Sequence, residues 1–161
     1  MKSLIFQGKV KKGVGDHAKL KIPGRNSLKN APPDWPETLC PGSLNIRIDG
    51  YPSEFKHLSP TEKVKNLDSK YFRPAFTIPQ NQILNNSILP STETPENGTA
   101  QIWRAILQIQ TNENSTNQDV WVFRRIGSKI SSQLELVSNL HLRQALSLSD
   151  GMQVIVKLQY D

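Results

Sequence analysis

Apolar and polar positions alternate along this chain in short runs, not in long helical stripes. LIFQGKV (4–10) and HAKLKI (17–22) alternate with period two, the second through Ala18, Leu20 and Ile22. LNIRI (44–48) does the same. The last third carries four such runs: AQIWRAILQIQ (100–110), DVWVFRRIG (119–127), LELVS (134–138) and MQVIVKLQ (152–159). Each predicts a strand. The loop KKGVGD joins the first two, and TNENSTNQ joins 100–110 to 119–127. Two helical signals stand among them. Ser59-Pro60-Thr61-Glu62 has the form of a capping box with proline at the first helical position, which predicts a short helix over about 60–68. NLHLRQALSLSDG predicts another, capped by Asn139, with Leu140, Leu142 and Leu146 as apolar contacts and Asp150-Gly151 turning into the final strand.

Between these runs, residues 23–42 are rich in Pro, Gly and Asn and read as a long loop. Residues 73–100 hold Pro74, Pro79, Pro90 and Pro95, and predict an irregular excursion with one short strand near Phe76 to Ile78. Six or seven short strands, little helix and Gly or Pro turns predict an all-β fold of the small-barrel kind. A chain of 161 residues fits one such domain, 1–161, with an insertion at about 71–100. Folding at that size buries roughly 70% of the extended chain's surface, so a core needs no staples.

Composition narrows the class. The single Cys40 forms no internal disulfide, and one cysteine with three scattered histidines builds no metal cluster. No run of about 18 apolar residues is present, and the N-terminal MKSLIFQGKVKKG lacks an apolar export core. The expectation is a cytoplasmic protein with no membrane partner. Charge is uneven. Residues 1–30 carry eight cations and only Asp16 as an acid, a net +7 against +6 for the whole chain. Such a segment suits an anionic partner, although a solvated lysine face would read the same way.

Three places carry candidate chemistry. Gly13-Val14-Gly15, flanked by Lys11, Lys12 and Asp16, lets backbone approach a phosphate closely, though a plain hairpin turn uses the same glycines. The spacing is not that of a Walker A loop. Ser43 and Asn45 lie two apart on a strand and so share a face with Arg47. Hydroxyl and amide oxygens are hard neutral ligands that Mg²⁺ accepts when phosphates and waters complete its shell. A polar solvent face is the competing reading. Glu135 is the one carboxylate of LELVS and faces away from Leu134 and Leu136; a general base or an exposed ion-pair partner fits that place. His17, His57 and His141 form no cluster. Trp103 and Trp121 read as core or rim residues before flavin-stacking ones.

Taken in order, GKVKKGVGDHAKLKIP, PGSLNIRI and LELVSNLHLRQALSLSDGMQVIVKL resemble three signatures of the CTP-dependent riboflavin kinases of archaea, over about a third of the chain. The resemblance implies a six-stranded cradle-loop β-barrel. It implies transfer of the γ-phosphate of CTP to the ribityl 5′-hydroxyl of riboflavin, giving FMN and CDP, with Mg²⁺. Carried over by motif, Ser43 and Asn45 serve the metal, and Lys11, Lys12, Gly13, Val14, Gly15 and Asp16 face the nucleotide. Glu135 lies on the flavin side as the base. CTP and riboflavin would be the partners, with no nucleic acid and no obligate protein. The chain departs from the family in FRRIGSKISSQ, which has neither Thr nor His, in Asn139 where the family has proline, and in a longer 71–100 segment. Arg124, Arg125 and Lys129 stand in the first of these as anion contacts, with Arg124 assigned to the flavin. Two other readings remain open: a barrel relative that binds a nucleotide or phosphorylated small molecule without kinase chemistry, and a nucleic-acid-binding cradle-loop barrel.

Overall fold

A computed structural model describes residues 1–11, 20–85, 98–110 and 114–161. Its strands are β1 (Lys2–Lys11), β2 (Leu20–Lys21), β3 (Leu44–Gly50), β4 (Phe76–Ile78), β5 (Leu84–Asn85), β6 (Ala100–Gln110), β7 (Ser115–Arg125), β8 (Gln133–Val137) and β9 (Gln153–Tyr160). Seven of them form one antiparallel sheet in the order β4-β6-β7-β8-β3-β1-β9, and β6 also pairs with β9. That last pairing closes β6, β7, β8, β3, β1 and β9 into a ring of hydrogen bonds. The free flank of β6 is divided: Ala100–Ile102 meet β4, while Ala105–Ile109 meet β9. No helix among the described residues is long and apolar enough to cross a membrane.

Alternation explains the ring's inner face. Leu4, Phe6 and Val10 of β1, Leu44, Ile46 and Ile48 of β3, and Leu134 and Leu136 of β8 share one buried cluster. Val120 and Val122, Trp103 to Ile109 at every second place, and Val154, Val156 and Leu158 complete it. Gly8 falls in the inward series of β1, where the register with β3 shifts. A Cβ at Gly8 would lie 2.4 Å from the Arg47 carbonyl oxygen, so only glycine lets the two strands close here.

The outer face is dry at one end as well. Ala100, Ile102, Trp121, Phe123 and Val137 pack with Phe76 and Ile78 under a strap formed by residues 22–40. Trp35 drives that packing. It is fully buried, sits edge-to-face on Trp121 (5.0 Å) and Phe76 (4.9 Å), and donates Nε1–H to the Pro23 carbonyl (3.0 Å). Arg104 reaches up from β6 to hold Asp34 with two N–H···O bonds (2.7 and 2.9 Å) while lying over Trp121. This doubly covered end accounts for the near-continuous apolar run AQIWRAIL. The two tryptophans expected on neighbouring strands face opposite ways: Trp103 inward, donating to the Phe72 carbonyl (3.1 Å), and Trp121 outward under the strap.

The helices differ from expectation. The stretch 60–68 forms a 3-10 segment over Lys63–Asp68 with no side-chain cap. Lys63 has φ +50°, which interrupts any α-helix across it, and Ser59 Oγ pairs with Thr61 Oγ1 instead of a backbone N–H. The last helix, α1, is only Leu142–Ala145. His141 caps it, accepting from Gln144 N at 3.4 Å in the place expected for Asn139, and Ser147 at φ +52° stops it. β7 starts at Ser115, four residues before its apolar run, because Ser115–Gln118 ladder against β6 with exposed or half-buried side chains. The described part of the 17–22 strand pairs with β5.

Candidate functional site

β3 lies between β1 and β8, and their registers set one row across all three. Lys11 is the direct partner of Asn45, and Asn45 of Glu135. Direct partners in antiparallel strands hold their Cβ atoms about 4.5–5.5 Å apart on one face. Because Leu44, Ile46, Leu134 and Leu136 point into the ring, this row lies on the outer face. Asn45 is 3% exposed there, a buried amide on a strand that polar solvation alone would leave open. Lys11 and Glu135 are half-buried on either side.

Ser43 enters just before β3 through the Pro41-Gly42 turn. Gly42 has φ +86°, a left-handed backbone that glycine takes without strain. The Cys40 N–H donates to the Ser138 carbonyl (2.9 Å), tying the end of the strap to the end of β8. Cys40 itself is a half-buried free thiol. The Ser43 Oγ is buried and has no hydrogen-bond partner among the described residues. A buried hydroxyl in that condition is costly unless something outside the chain satisfies it. Arg47 follows on the same face in the next row, exposed, opposite Lys9 and Gln133.

The register therefore brings Lys11, Asn45 and Glu135 into one row, with Ser43 two residues before Asn45 in the chain. Lys12, Gly13, Val14, Gly15 and Asp16, expected at the nucleotide, lie outside the described residues, as does His17. Arg124 goes elsewhere. It is 5% exposed, on the same side as Val122, and four N–H···O bonds engage it: two to Asp68 (3.0 and 3.2 Å), one to the Ile130 carbonyl (2.8 Å) and one to the Ser128 carbonyl (3.2 Å). A guanidinium has five N–H donors, so one remains for any ligand. The clamp joins the 63–68 segment to the turn after β7, and Asp68 gave no sequence sign of it. Beside Arg124 in register, Gln101 is also buried, and its Oε1 has no partner among the described residues.

Electrostatically, the clearest feature of the outer face is the Asp34–Arg104 pair. The hydrogen bonds from Arg104 hold the Asp34 carboxyl below its ordinary value of 3.8. His57 and His141 are exposed, and neither lies on the three strands of the row. No group of three or more His, Cys, Asp or Glu side chains suited to a metal occurs among the described residues. A Ser and Asn pair near one carboxylate is a different donor set, in which waters or ligand oxygens would have to supply most of a cation's shell. Neither the models of known protein families nor the curated proteins give a match to this chain.

Proposed function

We propose that the chain is a CTP-dependent riboflavin kinase of the cradle-loop barrel kind, forming FMN and CDP from riboflavin and CTP. The observation that carries this reading is the buried Ser43 Oγ without a partner, beside the buried Asn45 and one strand from Glu135. Ser43 and Asn45 would hold Mg²⁺ through neutral oxygens, and the metal would offset charge on the transferring phosphoryl group. Lys11, in the same row, adds a cation on the β1 side of Asn45. Glu135 accepts the proton of the ribityl 5′-hydroxyl as that oxygen attacks phosphorus, and the CDP oxygen leaves with the bonding pair. Little covalent work is asked of the protein, since phosphoryl transfer relies on positioning and charge neutralisation.

The test is FMN formation from riboflavin, CTP and Mg²⁺. Product is expected; absence of product under conditions where the flavin binds ends the kinase reading. Asn45→Ala should lower turnover at least about a hundredfold with the fold retained, which is the scale of losing a metal's charge stabilisation. A fully active variant removes the ligand assignment. One observation favours a nucleotide-binding relative without kinase chemistry: Arg124, assigned to the flavin by resemblance, is engaged in an internal clamp. Binding of CTP with no binding of riboflavin would select that second reading.

A further inference from the structure

Next to the Asn45 row stands a charged row that strand pairing leaves unbalanced. Lys9, Arg47 and Gln133 are direct partners across β1, β3 and β8, on the same outer face as Lys11, Asn45 and Glu135. Lys9 and Arg47 are both exposed, and Lys11 stands diagonal to Arg47. Like charges directly opposite one another on antiparallel strands repel. None of these three cations forms an ion pair among the described residues, although four other pairs do form there. The fold also draws the two strands tightly together at this point. Gly8 precedes Lys9 and has room for no Cβ against the Arg47 carbonyl, so the approach of Lys9 to Arg47 is fixed by backbone.

The repulsion has a natural complement. From Asn45 to Arg47 along β3 is about 7 Å, a step comparable with the length of a short phosphate chain. One end of such a chain would lie at the buried, unpartnered Ser43 Oγ and Asn45. The other end would meet Arg47, whose planar fork matches phosphate oxygens, with Lys9 and Lys11 as flanking point charges. The geometry points to Lys9, Lys11 and Arg47 as a polyphosphate clamp on the outer face of β1 and β3. Taking the ligand to be the tail of a nucleoside triphosphate rests on the kinase reading; the clamp itself asks only for a polyphosphate.

The probe is inorganic tripolyphosphate with Mg²⁺, titrated calorimetrically into the full chain. The wild type should bind, and Arg47→Gln and Lys9→Gln should each weaken binding at least about tenfold, the scale of one charge-assisted contact. Lys157→Gln is the control. Lys157 is opposite Ile5 on β1, about 13 Å along that strand from Lys9, and its loss should change affinity less than about twofold. No binding by the wild type, a smaller loss in Arg47→Gln, or an equal loss in Lys157→Gln overturns the clamp. Following FMN formation in parallel separates the two proposals. Tripolyphosphate binding through Arg47 with no FMN from CTP ends the kinase reading and keeps the clamp. FMN formation with an unchanged KM for CTP in Arg47→Gln ends the clamp and keeps the kinase.

Discussion

Asn45 shows what one residue's surroundings add to its identity. In the sequence it is a poor strand former between Leu44 and Ile46, equally suited to solvent or to a ligand. Burial to 3% exposure and a place between Lys11 and Glu135 turn it into the centre of a polar row. Glu135 was legible as the odd carboxylate of its strand, facing away from two leucines, and it does face away from them. Its placement directly opposite Asn45 was not legible, because that depends on which strands are neighbours. As base, Glu135 should be worth about 10²–10⁴ in turnover. Glu135→Gln is expected to lose that much while CTP and riboflavin affinities, read by calorimetry, stay within a few-fold; parallel loss of binding would make Glu135 a ligand contact instead. Asp34 supports a pH prediction. Its carboxyl is depressed in the folded state, first by the Arg104 hydrogen bonds, so its contribution is present above the unfolded value near 3.8 and is lost as pH falls through the folded value. The pair is 54% and 37% exposed on its two sides, which limits the contribution to about 1 kcal/mol or less. Urea midpoints at pH 7 and pH 3 should therefore differ slightly less in Asp34→Asn than in the wild type.

At the level of elements, the strands were readable and the helices were not. The limits of β6 and the position of β4 follow from alternation and flanking prolines, and both lie where the pattern puts them. The 60–68 segment defeated the capping signal because Lys63 takes a left-handed backbone conformation, which no residue-type preference announces. The strap left a trace that needed different handling: Trp35 in a proline-rich loop, and a β6 sequence apolar on both faces. Together these imply a second covering layer, and a loop reading of 23–42 discards it. The strap's stability should rest on that one ring. Trp35→Ala removes a fully buried indole and two edge-to-face contacts, and should cost about 3–5 kcal/mol by chemical denaturation. A loss under 1 kcal/mol would mean that the strap is held by its polar ties instead, through Arg25, Asn30 and Asp34.

For the molecule as a whole, the order of strands in the sheet makes the row possible, since β1 and β8 lie far apart in sequence and meet only by flanking β3. A ligand bridging these strands stabilises the folded state alone. At a hundred times its Kd, CTP with Mg²⁺ should add about 2.7 kcal/mol, or roughly 5–11 °C in Tm for a chain of this size. A scanning thermal melt with CTP and Mg²⁺ checks this, and no shift at saturating concentration would remove CTP as ligand. Closure has another effect, on how the protein behaves among copies of itself. An open sheet ends in two rows of unsatisfied amides and carbonyls onto which another chain can grow. Each of the six ring strands has a neighbour on both flanks, so none of them presents a full-length row of that kind. Within the seven-stranded sheet β4 alone is appended outside the ring, while β2 and β5 pair with each other apart from it. β4 is three residues long, and its Thr77 carbonyl accepts a hydrogen bond from Asn30 of the strap (3.1 Å). Among the described residues, the strap that covers the apolar face thus also blunts the loose margin of the seven-stranded sheet, where another chain could otherwise add a strand.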